Sequence, residues 1–216
     1  DKILNNKLEA VRGRSMDVQA FWNVIGRYNE QTWIIQIILL IFMISVIALS
    51  YMQKVQWSAK FLLGIANIFI GIGFFWWYGT EPIQAYFALP LYLFVGTLFL
   101  FESWYSKNDV LKKPDILQAI LLLLYLFYPV VSMLLGNSFP QMVTYIMPCP
   151  VITLSIAVYA GYNRKNKLLL VLLTVWGLTG IKSIIFQAYE DVILFVCGLY
   201  GIALLINEIK QPRAKQ

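Results

Sequence analysis

Residues 145–155 read YIMPCPVITLS, Tyr145 to Ser155, and two prolines flank a cysteine in the middle of an apolar stretch long enough to be a membrane span. Proline has no amide hydrogen to donate, and its ring clashes with the preceding helical turn. Pro148 and Pro150 together withdraw two donors within one turn. The carbonyls near positions 144 and 146 then lack their helical partners. Hydrocarbon cannot satisfy them, and each such group costs several kcal/mol there. The span is therefore expected to be interrupted near the membrane midplane. Its freed carbonyls are expected to meet water, Thr153 or a neighbouring helix in an internal cavity beside Cys149.

The composition around this stretch sets the class. The chain has 216 residues, 60% hydrophobic and only 13% charged. Soluble domains run at roughly 25% charged and 45–50% apolar. This is the composition of an all-α integral membrane protein whose main partner is the lipid bilayer. Histidine is absent, which removes the commonest general base, pH switch and metal ligand. Two cysteines make no disulfide framework. No phosphate-binding glycine loop, paired-histidine metal motif or nucleophile elbow occurs, so an enzyme ranks last among the function classes. The net charge of +6 belongs to the loops and does not indicate nucleic acid. Residues 1–15 are polar and precede Met16; they are expected to be an appended leader or an alternative start.

Hydropathy gives seven spans of about 20 residues, at Thr32–Met52, Ala59–Tyr78, Ile83–Trp104, Ile116–Leu135, Gln141–Gly161, Leu168–Phe186 and Val192–Ile206. Residues 16–31 carry Val18, Phe21, Trp22, Ile25 and Tyr28 at helical spacing and are expected to form an amphipathic helix on the membrane surface. The seven-helix domain covers 32–207, and 208–216 form a basic tail. Lys54 and Lys60 flank the first loop, Lys107, Lys112 and Lys113 the third, Arg164, Lys165 and Lys167 the fifth. The second and fourth loops carry none. Because Lys and Arg stay cytoplasmic, the N-terminus is expected outside and the C-terminus inside.

Several residues then qualify as site candidates. Met147, Pro148, Cys149, Pro150 and Thr153 line the expected interruption. Cys149 and Cys197 fall at similar depth on spans of the same direction, so with Met147 they could form a soft-metal site; buried cysteine is also an ordinary small apolar residue. Cysteine–proline pairs within membrane helices resemble the metal site of heavy-metal pumps, but those carry large soluble ATPase domains that this chain lacks. Glu81, Glu190 and Asp191 give the outer face an acidic rim. Lys182 lies about one turn below the outer end of span six. Ionisable residues inside a membrane mark function by default; Lys182 is expected to pair with Glu190 or Asp191, or with Glu81, or to snorkel outward. Gln36, Asn67 and Glu102 are read as helix–helix hydrogen-bonding residues.

The chain resembles an uncharacterised family of bacterial multi-pass membrane proteins. The likeness rests on Tyr28-Asn29 with Trp33 and Gln36, on Met147-Pro148-Cys149-Pro150 followed by Thr153, and on Glu190-Asp191 with Gly198. In that family threonines usually follow the Met-Pro-Cys-Pro run directly, whereas Val151-Ile152 intervene here. The resemblance implies a membrane fold and no established activity. Three functions compete: a small transporter or permease for an ion or small solute, a ligand-binding sensor or receptor, and a non-catalytic accessory subunit. A midplane cavity reaching both sides favours transport, one open only outward favours sensing, and tight packing without a cavity favours the accessory role.

Overall fold

The computed structural model describes residues 18–210. The expected leader at 1–15 and the tail end at 211–216 lie outside the described residues. Six helices are long and apolar enough to cross a membrane: α1 (Val18–Tyr51), α2 (Ser58–Trp76), α3 (Gln84–Tyr105), α4 (Ile116–Leu134), α6 (Lys167–Phe186) and α7 (Tyr189–Lys210). A shorter apolar helix, α5 (Pro148–Ala160), stands among them. The described residues contain no named β-strand.

The surface helix expected over 16–31 is not a separate element. It is the first part of α1, which runs unbroken for 34 residues, roughly 50 Å at 1.5 Å per residue. No glycine–proline break interrupts it. Its polar residues divide: Gln19, Asn23, Arg27 and Glu30 are exposed, and others turn inward. Tyr28, Asn29, Thr32 and Gln36 fall on one helical face, and all four are buried against the bundle. Ile34, Ile37, Ile41 and Phe42 lie on the exposed side, where a lipid-facing helix needs apolar groups.

α5 is the hub of the bundle. Every one of its residues except Cys149 is buried. At 13 residues it is ~20 Å long, short of the ~30 Å hydrocarbon layer. The fifth span, expected over Gln141–Gly161, is thus helical only from Pro148. Residues before it are non-helical, and Met147 itself is extended (φ −131, ψ 165). Side chains from other helices meet this stretch of backbone. Asn29 Nδ2 donates to the carbonyls of Pro140 (2.7 Å) and Met142 (2.8 Å). The Tyr28 hydroxyl donates to Ile146 O at 2.7 Å, and the Tyr92 hydroxyl to Pro148 O at 2.7 Å. The Val143 amide donates to Ser132 Oγ at 3.0 Å, and the Thr144 amide to Met147 Sδ at 3.2 Å. Gln36 holds the Thr144 hydroxyl at 2.7 Å. The interruption is real, but it replaces the first third of the expected helix instead of kinking it.

The surrounding helices close in on small residues. A Cβ added to Gly177 of α6 would sit 2.7 Å from the Cα of Gly198 on α7, so the two backbones touch as small-residue membrane interfaces allow. At the opposite end of the chain path, α4 starts on a capping box. The Asp115 side chain accepts the Gln118 amide at 2.8 Å, and Gln118 Oε1 accepts the Asp115 amide at 3.2 Å.

Removing a donor from the interrupted segment should be costly. Tyr28→Phe leaves the Ile146 carbonyl buried without its partner and should destabilise by about 1–3 kcal/mol. Asn29→Ala strips two carbonyls and should cost more. Thermal unfolding in detergent checks both, against Trp33→Phe on the exposed side of the same helix; losses no larger than that control would refute the assignment.

Candidate functional site

The site is built where α5 begins. Pro148 occupies its first helical position, where the absent N–H would have had no intrahelical acceptor anyway and the fixed φ suits a helix start. Pro150 falls within the same first turn, among the donors a helix leaves free. The first helical bond runs from the Val151 amide to Met147 O at 3.0 Å. The two prolines therefore open a helix instead of breaking one, and the carbonyls at 144 and 146 belong to no helix.

The positive end of that helix faces Asp191. The Cys149 thiol donates to Asp191 Oδ2 at 3.2 Å, and the Tyr128 hydroxyl to Oδ1 at 3.0 Å. Asp191 closes a short 3-10 turn, Tyr189–Asp191, and stands directly before the regular part of α7. A carboxylate at the start of two helices is favoured by both dipoles. Glu190 turns the other way and is 1% exposed. Its Oε1 accepts from Ser132 at 2.7 Å and from Asn137 at 3.4 Å, and its Oε2 is buried with no partner.

In front of Asp191 lies a cavity of about 340 Å³, at the lower end of the ~300–1,000 Å³ typical of small-molecule sites. Its walls are mostly apolar. Phe21 and Ile25 come from α1, Phe74 and Phe75 from α2, Phe87 and Ala88 from α3, Trp176 and Phe186 from α6. α2 and α3 both widen here into π-helical turns. The Trp77 amide reaches back five residues to Ile72 O, and the Leu89 amide to Gln84 O. Such turns recur at functional sites because they re-aim side chains. Every lining residue comes from one end of the bundle. None comes from the turns at 52–57, 106–115 or 161–166.

Of the residues singled out by sequence, Met147, Pro148, Cys149, Pro150, Glu81, Lys182 and Asp191 line this cavity. Thr153 is buried one turn further along α5 and does not line it, and neither does Glu190. The ion pair expected of Lys182 is not formed: among the described residues Lys182 joins no salt bridge and is exposed. The cause is local. Residues Thr179–Lys182 tighten into a 3-10 turn, and the two acids turn inward to uncharged donors. The three sulfurs of the expected metal set have separate surroundings. Cys149 is held by Asp191, Met147 Sδ accepts the Thr144 amide, and Cys197 is packed in the core. Among the described residues no group of three or more His, Cys, Asp or Glu is placed to hold a metal.

Sequence reasoning missed Tyr128, Ser132 and Trp176, which read as ordinary span residues. It also missed what happens at the other end. Lys60 was expected to flank a loop. Instead it is 1% exposed, paired with Asp109 at 2.7 Å and Glu102 at 3.0 Å, with its ammonium 4.3 Å from the Tyr162 ring centroid. Glu102 Oε1 also accepts the Tyr159 hydroxyl at 2.6 Å, and Asp109 Oδ1 the Arg164 amide at 3.2 Å. Tyr162, in the turn beyond α5, donates to Gln56 O at 2.8 Å, and burial holds its hydroxyl well above the ordinary phenol range. The position of Lys60 within Trp57-Ser-Ala-Lys-Phe-Leu-Leu63 was the available signal: it lies inside the apolar run, in the first turn of the helix.

Six long apolar helices packed around a short one define a multi-pass helical membrane protein with an internal cavity. The chain belongs to the family of unknown function DUF6064, whose family model matches residues 18–216. No curated protein and no solved structure matches it.

The Lys60 cluster yields a direct stability test. Lys60→Met leaves two buried carboxylates without a countercharge and should destabilise by about 3–5 kcal/mol. Adding Glu102→Gln and Asp109→Asn should restore part of the loss in the same unfolding assay. Equal damage from the single and the triple variant would show that the ion pairs are not what the lysine provides.

Proposed function

We propose that the protein is a ligand-binding membrane bundle that admits a small solute from its outer face into the cavity at Cys149 and Asp191. The observation that carries this reading is the one-sided cavity: it ends on the first turn of α5, and the opposite end is filled by the Lys60–Glu102–Asp109 cluster. A site open only outward fits a sensor or receptor. The chain crosses seven times in this reading, the stretch from Gln141 to Ala160 completing one crossing as extended chain followed by helix. The Gln141 amide reaches Asn23 near the start of α1, and Tyr162 reaches Gln56 just past its end, so this stretch links the two ends of the bundle. The basic loops then place the N-terminus outside, and the cavity opens away from the cytoplasm of a bacterial inner membrane.

A carrier is the second reading, and one observation favours it. Helices that begin near the midplane beside a cavity are the usual frame of transporter sites. Side chains, not continuous backbone, close the inner end here, and side chains can separate.

Two labelling results test these readings. Thr80→Cys should react with a membrane-impermeant thiol reagent applied outside the cell and Asn108→Cys should not; the reverse result inverts the topology. In proteoliposomes of a Cys197→Ala variant, the same reagent should modify Cys149 only from the side that reaches position 80. Modification from both sides would exclude a one-sided sensor and establish the carrier.

A further inference from the structure

We propose that the solute is a small organic cation, with its charge against Asp191 and its apolar body between Phe75, Phe87 and Trp176. This rests on reading the cavity as a ligand site. The first support is a charge imbalance. Asp191 and Glu81 line the cavity, and Lys182 is the one cation among its described lining residues. Lys182 stands at the exposed rim and pairs with neither acid. Behind Asp191, Glu190 adds a second buried carboxyl that joins no salt bridge among the described residues, and its Oε2 meets no partner among them. Carboxyls at membrane depth are rare, pair when they can, and mark pathways and counter-ion sites.

The second support is the form of Asp191. Its two observed partners, the Cys149 thiol and the Tyr128 hydroxyl, can both act as donors to it. That arrangement suits a carboxylate, which only accepts, and each oxygen keeps a further lone pair for a ligand. The start of α5 stabilises this charge while the cavity is empty of cation. It also argues against an anionic solute: the helix end that would hold one already faces Asp191.

The third support is the wall. Trp176 has Phe75 edge-on at 5.6 Å and Phe87 stacked at 6.5 Å, and Tyr92 packs behind it at 4.9 Å. Aromatic faces attract ammonium groups, tryptophan most strongly, and enclosing several rings around an alkylammonium is how such cations are recognised in water-excluded sites. The Trp176 Nε1–H is buried without an acceptor, so it offers a donor to an oxygen on the same ligand.

Three probes of one shape and different charge test the proposal on the intact chain in lipid nanodiscs: choline, the neutral 3,3-dimethyl-1-butanol and the anionic 3,3-dimethylbutanoate. Binding is read by thermal shift and by tryptophan fluorescence. Choline should bind at least about tenfold more tightly than either isostere. Asp191→Asn should abolish that preference while leaving the weak binding of the neutral probe in place. Trp176→Phe should retain choline binding and Trp176→Leu should weaken it. The preference of the unaltered protein stands as a measurement even where Asp191→Asn fails to fold. Equal or tighter binding of the neutral or anionic probe would overturn the cation assignment and leave the ligand-site reading intact. Binding of none of the three, with Cys149 also unreactive from either side, would overturn both.

Discussion

An interior backbone with no helix to satisfy it is the constraint on which this structure turns. Residues 140–146 run without helical bonds between the bundle's helices, where neither lipid nor a regular ladder meets their polar groups. Tyr28 and Asn29 of α1 and Ser132 of α4 meet them instead, and Tyr92 of α3 meets the adjoining Pro148 carbonyl, all at 2.7–3.0 Å. These bonds fix where α5 starts. The start of α5 fixes where Cys149 points, and Cys149 with Tyr128 fixes Asp191. Buried hydrogen bonds of this kind are worth only about 1 kcal/mol net when made, yet a buried group stripped of its partner costs more. The arrangement is thus enforced by the penalty for leaving it incomplete.

The two ends of the bundle handle charge in opposite ways. At one end Lys60 sits between Glu102 and Asp109, and the Tyr159 hydroxyl and the Arg164 amide complete the cluster. Such a cluster is closed: its charges are neutralised by each other, and its removal in part is far worse than its removal as a whole. At the other end Glu190 and Asp191 have only uncharged donors among the described residues, and a cavity stands in front of one of them. The closed cluster reads as support, and the open one as a place still able to accept a partner.

The sequence made much of this legible. Pro148 and Pro150 marked the interruption because proline is costly inside a helix and tolerated in its first turn. The apolar runs marked the helices because bilayer thickness sets their length. The remainder depended on contacts remote in sequence. Tyr28 and Asn29 looked like part of the apolar stripe of a surface helix because the carbonyls they meet lie more than a hundred residues later. Lys60 looked like a loop-flanking charge because hydropathy cannot tell a basic residue just outside a span from one turned inward to two acids. Lys182 misled for a local reason: a 3-10 turn changes the direction of every side chain on it, and helical spacing does not foresee where one forms.

The backbone conformation of residues 141–147 in a bilayer is the most direct test. Solid-state NMR of the protein in lipid, labelled at methionine, threonine and isoleucine, reports Met142, Thr144, Ile146 and Met147 against Ile152 and Thr153. The account predicts extended Cα and Cβ shifts for Ile146 and Met147, non-helical shifts for Met142 and Thr144, and helical shifts for Ile152 and Thr153. Helical shifts running without interruption from Met142 to Thr153 would contradict it.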